Sequence, residues 1–144
     1  MKRLSLLFVA ILLVGCSTRE SIPLSMEDEK AVENYLSETV MFRSNDGTVE
    51  STFKVLGSDK SRGEIYLWAH MNEYYEDGND RFQGGGWSLP VVLFVNVNEQ
   101  NIYIKGYDVP GDGSEYSEGI KNLFPKDLHN RIFRFPESEI EELF

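Results

Sequence analysis

The sequence has little of what metal sites, disulfides and nucleophilic thiols require: one cysteine, Cys16, and two histidines, His70 and His129, among 144 residues. A single cysteine excludes an internal disulfide, and neither histidine has a companion at metal-ligand spacing such as His-x-x-x-His. No serine lies in a Gly-x-Ser-x-Gly elbow, and Gly84-Gly85-Gly86 lacks the ending of a phosphate-binding loop. The three glycines predict a bulge or a hinge instead. We therefore expect no metal, no cofactor and no catalytic residue, and we interpret both histidines as hydrogen-bonded packing residues.

Basic residues are also scarce, 14 against 24 acidic ones, which gives a formal net charge of −10 at pH 7. Phosphate backbones and anionic lipid headgroups repel such a chain, which argues against a nucleic-acid partner and against a domain that lies on the bilayer surface. No run of membrane-spanning length is present either. The apolar segment from Leu4 to Val14 has 11 residues, whereas a membrane-spanning helix needs about 20.

The first residues nevertheless indicate a membrane address. Two basic residues, Lys2-Arg3, precede the apolar segment, which ends at Leu13-Val14-Gly15-Cys16. That tetrapeptide resembles the lipobox of bacterial lipoproteins, and the chain is similar to small lipoproteins of Gram-positive bacteria. The resemblance implies a diacylglycerol on the Cys16 thiol, cleavage after Gly15, and an anchor on the extracytoplasmic face of the cell membrane.

Three parts of the chain follow from this resemblance. Residues 1–15 are expected to be a cleaved signal peptide, 16–24 a lipidated tether broken by Pro23, and 25–144 a single α+β domain. Cleavage removes Lys2 and Arg3 but no acidic residue, so the mature chain has a formal charge of −12. About 130 residues without a disulfide are enough to form a stable core.

The domain begins with a predicted helix, because Ser25 is a good N-cap, acidic residues follow it, and apolar residues recur at helical spacing up to Val40. Four strand-like segments joined by short turns then predict an antiparallel meander. These segments are residues 49–55, 64–75, 89–97 and 102–107. Short helices close the chain. The expected fold is an N-terminal helix packed on a curved, mostly antiparallel four-stranded sheet, with a topology that resembles cystatin-like and NTF2-like folds.

Alternation assigns each strand residue to one of two faces. The face expected beneath the helix is apolar and carries Phe53, Val55, Ile65, Leu67, Ala69, Met71, Val91, Leu93, Val95, Ile102 and Ile104. The opposite face is aromatic and forms the candidate binding face: Tyr66, Trp68, His70, Tyr74, Phe94, Tyr103 and Tyr107. Aromatic residues with polar ends are typical of binding surfaces, but aromatic stripes are more often core. The alternative is a lid formed by Phe124, Ile132, Phe133 and Phe135.

Two acidic segments could suggest cation sites. The loop from Asp108 to Ser114 has Asp at the first and fifth positions of a calcium loop, but Pro110 and Gly119 occupy two ligand positions, so we expect a tight turn. The cluster Glu73, Glu76, Asp77 and Asp80 is expected to be a solvated turn.

Three functions stay open from the sequence. The first is a non-catalytic binding or accessory lipoprotein whose partner is an envelope protein. The second is a small-ligand or sensor domain that uses the face around Trp68, and the third is a hydrolase with acidic catalytic residues.

The lipobox resemblance makes a direct prediction about Cys16. Replacing it by serine removes the thiol that accepts the lipid, so a Cys16→Ser chain should be found outside the membrane fraction and should keep residues 1–15. Fractionation and intact-mass measurement check both results. A variant that is processed normally and stays on membranes would contradict the predicted anchor.

Overall fold

The structure, a computed structural model, describes residues 19–40, 47–99, 101–135 and 139. The N-terminal helix α1 spans Met26–Tyr35 and continues as a π-helical turn, Leu36–Val40. The strands are β1 Thr48–Asp59, β2 Glu64–Asp77, β3 Asp80–Val97 and β4 Ile102–Asp108. A 3-10 turn, Gly113–Glu115, precedes α2 Tyr116–Leu123 and α3 Lys126–Phe133. The predicted signal peptide, Cys16 and most of the last predicted helix lie outside the described residues. Among the described helices, none has the length and apolar character needed to cross a membrane.

The four strands form one antiparallel sheet in the order β1-β2-β3-β4. This confirms the predicted α+β class, with the helix before a curved sheet and short helices after it. The β1–β2 and β3–β4 turns lie at one end of the sheet, which we call the proximal end. The β2–β3 turn, between Asp77 and Asp80, lies at the opposite, distal end. At about 3.3 Å per residue, the 14 residues of β2 separate the two ends by roughly 45 Å.

The start of α1 is fastened to β4 by one carboxylate. Ser25 caps the helix, and its hydroxyl accepts a hydrogen bond from Asp28 N at 3.1 Å. The buried Asp28 side chain accepts in return from Ser25 N at 3.0 Å and from Ser25 Oγ at 2.8 Å. Its second oxygen accepts from Ile102 N, 74 residues away, at 2.9 Å. The same side chain therefore closes the helix cap and fixes the first residue of β4.

Two apolar clusters cover the two faces of the sheet. The first cluster lies between α1 and the predicted face, and it includes Val32, Leu36, Ile65, Leu67, Ala69, Met71, Val91, Leu93, Val95 and Ile102. The second cluster lies between the other face and the C-terminal helices, and it includes Leu56, Tyr66, Trp68, Val92, Ile120, Phe124, Leu128 and Ile132. Val55 belongs to the first face by its pairing with Leu67, but it stands on an edge strand and is 40% exposed.

A bulge in the β3–β4 pairing reverses the predicted faces for the residues of β4 that follow it. Val95 pairs with Ile104, but Phe94 pairs with Gly106, so Lys105 is an extra residue in β4. Strand residues before and after such an insertion exchange faces.

The end of β4 coincides with two prolines. Beyond the pair of Val92 with Asp108, the same register would bring Pro90 opposite Pro110. Neither proline has an amide proton, which is consistent with the end of β4 at this point.

Residues 19–24, which the sequence assigned to the tether, lie against the domain. Ile22 is 5% exposed and belongs to the first cluster, and its amide donates to Ser58 Oγ at 2.8 Å. The amide of Lys60 donates to the carbonyl of Glu20 at 2.9 Å. The tether predicted over 16–24 is therefore too long, because Ile22 is apolar enough to be buried beside the β1–β2 turn. Only residues 17 and 18 separate Cys16 from the docked segment in the sequence.

The contacts of Asp28 predict a pH-dependent contribution to stability. Burial alone would raise the pKa of Asp28, but hydrogen bonds from Ile102 and Ser25 outweigh it and hold the pKa below its ordinary value. Asp28→Ala should lower the free energy of unfolding by about 1–2 kcal/mol at pH 7. Because the folded-state pKa is depressed, the difference from wild type should shrink as the pH falls below about 4.

Denaturant unfolding of both proteins between pH 3 and pH 7 measures this effect. Glu29→Ala is the matched control, since Glu29 is an exposed carboxylate in the same helical turn. Equal losses in the two variants, or a difference that does not change with pH, would contradict the role assigned to Asp28.

Candidate functional site

The C-terminal helices cover the centre of the candidate binding face. Tyr66 is fully buried, Trp68 is 8% exposed, and Phe94 is half-buried in the second cluster. The Tyr66 ring packs against the ring of Phe124, with 6.0 Å between centroids. These three aromatic residues therefore belong to the core, in agreement with the lid alternative.

A polar network accompanies the buried Tyr66. Its hydroxyl donates to Glu64 Oε2 at 2.5 Å, and Glu64 Oε1 accepts from Arg62 at 2.9 Å. Burial raises the pKa of the Tyr66 phenol, and the neighbouring Glu64 carboxylate raises it further. The guanidinium of Arg19 lies over the Tyr66 ring, 5.9 Å from its centroid, and also pairs with Asp127. The buried Tyr66 hydroxyl therefore has a hydrogen-bond acceptor, as expected for a buried polar group with a structural role.

The indole of Trp68 is covered by Phe135. The two rings are stacked, with 4.4 Å between centroids and 5° between planes, and Trp68 Nε1 donates to Ser88 Oγ at 2.8 Å. An ion pair between Lys54 and Glu139 lies next to this stack. Phe133, which the sequence placed in the lid, is instead 43% exposed. In α3 the side chains that face the sheet are Leu128 and Ile132, four residues apart. Phe133 follows Ile132 directly, so its side chain points away from the sheet.

His70 and Tyr74 lie on the same face, closer to the distal end and away from the C-terminal helices. His70 is half-buried and hydrogen-bonds to Asn72; burial lowers the pKa of its imidazole, although this hydrogen bond opposes the effect. The guanidinium of Arg81 lies 3.8 Å from the centroid of the Tyr74 ring and pairs with Glu50 at 2.5 Å. This part of the face is a polar surface with one aromatic ring.

The last two residues of the candidate binding face, Tyr103 and Tyr107, do not lie beside His70 and Tyr74. Tyr103 is 58% exposed at the proximal end, opposite Asn96. Tyr107 lies on the opposite face, in the first cluster, where its ring meets Tyr35 edge-on at 6.3 Å. Its predicted position on the aromatic face is wrong, because the bulge at Lys105 reverses the alternation between Tyr103 and Tyr107.

A different aromatic surface is exposed at the distal end. We call residues 75–87 the distal arm, because β1 begins opposite Tyr74 and β4 pairs with β3 only from Val92. Its aromatic patch consists of Tyr75, Phe82 and Trp87, on the same face as α1. Phe82 is 52% exposed, Trp87 is 39% exposed, and Tyr75 is half-buried opposite Phe82.

Glycines make room for the rings of this patch. A Cβ on Gly84 would lie 2.2 Å from the Tyr75 ring, and a Cβ on Gly85 would lie 2.5 Å from the Trp87 ring. The β2–β3 register shifts at this point, so the glycines form a bulge, as their sequence suggested. The spacing Phe82-Gln-Gly-Gly-Gly-Trp87 opposite a tyrosine was the available sequence signal, but an aromatic patch was not predicted from it.

The histidine and carboxylate groups considered for catalysis or metal binding have structural roles in the described part of the chain. His129 Nε2 donates to the carbonyl of Phe124 at 2.8 Å, as expected for a packing residue. Asp108 Oδ1 accepts from Val109 N at 2.9 Å within the loop expected to be a tight turn. Of the acidic cluster, Glu73 is buried, whereas Glu76, Asp77 and Asp80 are exposed at the distal turn. Among the described residues, no group of three or more His, Cys, Asp or Glu side chains is arranged to hold a metal ion.

No family model, curated protein or solved structure matches this chain.

The stack of Phe135 on Trp68 predicts a difference between two neighbouring phenylalanines. Phe135→Ala should lower the free energy of unfolding by about 1–3 kcal/mol, since stacking and apolar burial are both lost. Phe133→Ala, the matched control, should change it by less than about 0.5 kcal/mol because this side chain is exposed. In a Trp87→Phe background, where only Trp68 emits, Phe135→Ala should also increase iodide quenching of fluorescence. Equal quenching in both alanine variants would contradict the stacked lid.

Proposed function

We propose that this protein is a lipid-anchored lipoprotein on the extracytoplasmic face of the cell membrane, where it binds an envelope protein without catalysing a reaction. The aromatic patch of the distal arm is the observation that carries the binding role. Exposed Phe82 lies where the β2–β3 pair extends past both neighbouring strands. Exposed Trp87 lies opposite Met71, where β1 still pairs with β2 but β4 has not begun to pair with β3. Large aromatic side chains bring apolar area to an interface at low entropic cost, and they are enriched where binding energy is concentrated.

A protein partner fits this surface better than a small ligand. The patch consists of exposed rings beside glycines on one face of a strand pair, whereas small molecules are bound in concave sites that cover most of their surface. One edge of β3 along the arm also has no neighbouring strand within the described residues, so its backbone groups are open to pairing with an extended segment. Exposed acidic residues at the tip, Asp77 and Asp80, favour a partner with basic groups around an apolar centre.

The small-ligand alternative depended on an open face around Trp68. Phe135 occupies the space above the indole, so a ligand at this position would first have to displace the Phe135 ring. The hydrolase alternative needs two carboxylates on either side of a cleft. Buried Asp28 accepts from Ile102 N, and buried Glu64 accepts from Tyr66. Buried Asp59 lies opposite Glu64 in the β1–β2 pairing, but it accepts from Ser61 Oγ and Arg62 N within the turn, so both carboxylates are held by hydrogen bonds of the fold. These observations favour a binding role.

Site-specific cross-linking tests the arm as a contact surface. Phe82 is replaced by the photoreactive residue benzoylphenylalanine in the full-length chain, expressed in its own host, and membranes are irradiated. We expect one discrete adduct from position 82. The matched control carries the same residue at Phe133, which is also an exposed phenylalanine but lies on α3.

The adduct should disappear in a second variant, Trp87→Ser, because the neighbouring ring of the patch is lost, while the protein remains folded and membrane-bound. Adducts of equal yield from positions 82 and 133 would contradict a specific contact. An adduct from position 82 that persists unchanged in Trp87→Ser would show that the patch is not the binding surface.

A further inference from the structure

The docked residues after Cys16 fix where the lipid leaves the domain. Arg19 pairs with Asp127, Glu20 bonds to Lys60 through both its carbonyl and its carboxylate, and the buried Ile22 follows. All these contacts lie at or next to the β1–β2 turn, at the proximal end. Cys16 is three residues before Arg19, so the chain between their Cα atoms is at most about 11 Å long.

This length is short compared with the membrane surface. The polar headgroup layer on each side of a bilayer is about 5–8 Å thick. A diacylglycerol on Cys16 has its acyl chains beneath that layer, so a linker of about 11 Å cannot move the proximal end far from it. We infer that the proximal end of the domain rests on the bilayer surface and contacts the lipid headgroup layer directly. This inference rests on the proposed lipid anchor.

The proximal end has an apolar surface suited to this contact. Met26 is 87% exposed in the first turn of α1, Val97 is 37% exposed at the end of β3, and Tyr103 is 58% exposed on β4. Val97 also lines a groove of about 310 Å³ whose lining is mixed: Pro23, Leu24 and Ile102 are apolar, whereas Ser25, Asp28, Asn98, Glu99 and Asn101 are polar. Apolar and tyrosine side chains that are exposed at one end of a domain are typical of interfacial membrane contact; the Tyr103 hydroxyl also accepts a hydrogen bond from Asn98 Nδ2 at 3.4 Å.

Cations border this apolar surface. A second groove, of about 340 Å³, shares Val97 with the first and is lined by Lys60, Arg62 and Lys105. Lysine and arginine can extend their aliphatic parts over apolar groups and place their charges among lipid phosphates. Lys60 and Arg62 are partly neutralised by Glu20 and Glu64, however. The exposed acids Glu27, Glu29 and Glu99 are at the same end.

The proximal end is therefore not basic as a whole, and its contact with lipid does not depend on anionic headgroups. We expect Met26, Val97 and Tyr103 to contact zwitterionic headgroups, while the lipid anchor holds the proximal end at the bilayer. The net negative charge alone predicted a domain held away from the bilayer surface; the inferred contact departs from that expectation because the short linker keeps the proximal end close to the lipid. The acidic turn from Glu76 to Asp80 lies at the other end of the sheet, where repulsion from a bilayer is smallest.

The rate of thiol modification tests this orientation. The lipidated protein has no native thiol, so Val97→Cys and Phe82→Cys each introduce a unique one, at the proximal end and on the distal arm. Each purified variant is reconstituted into phosphatidylcholine vesicles and treated with a charged, membrane-impermeant maleimide. The same substitutions in the Cys16→Ser chain give the rates without an anchor.

We expect anchoring to slow modification at position 97 several-fold and to leave position 82 unchanged. Met26→Cys repeats the proximal measurement at an independent, more exposed position. Equal effects of anchoring at the proximal and distal positions would overturn the inference. Vesicle flotation and mass measurement separate this result from failure of the proposed function: a chain that does not float and keeps a free Cys16 thiol overturns both proposals.

Discussion

The central strands of this domain are apolar on both sides, and most of the structure depends on that constraint. Ile65 and Leu67 of β2 face α1, whereas Tyr66 between them faces the C-terminal helices, and all three side chains are fully buried. Burying each side chain of this kind contributes about 1.5–3 kcal/mol. A sheet with two such faces must be covered on both, so α2, α3 and Phe135 are part of the core. Phe82 and Trp87 lie outside both clusters and are exposed.

The fold could be predicted because its signals are local. Ser25 with acidic residues after it predicted the cap of α1, and the alternation in β2 predicted which residues face the helix. The bulge at Lys105 could not be predicted in the same way, since alternation continues unbroken in the sequence on either side of it. One extra residue was enough to move Tyr107 to the other face. The length of β3 was also underestimated, because three consecutive glycines suggested a hinge whereas the rings of Tyr75 and Trp87 support the strand.

The candidate site illustrates a different limit of sequence reasoning. Trp68 was conspicuous because it stands in the clearest strand, but its exposure depends on Phe135, which is far away in the sequence and packs on it only in three dimensions. Phe133 has the same chemistry and lies two residues earlier, yet its position on α3 leaves it exposed. Residue type predicts what a surface could bind. Whether the surface exists depends on long-range packing.

The two proposals are connected by the geometry of the hairpin. Arg19, Glu20 and Ile22 fasten the start of the domain to the β1–β2 turn, and the same strand, β2, runs from that turn to the arm. In the two proposals, a bilayer contact at the start of β2 also sets the distance of the arm from the bilayer. Phe82 lies opposite Tyr75, roughly 36 Å along β2 from Glu64, and Trp87 lies opposite Met71, roughly 23 Å from Glu64. A flexible tether of nine residues would have left this distance undefined. With the proposed anchor at Cys16, the docking of Ile22 leaves two residues between Cys16 and Arg19, so the fold limits where the arm can lie.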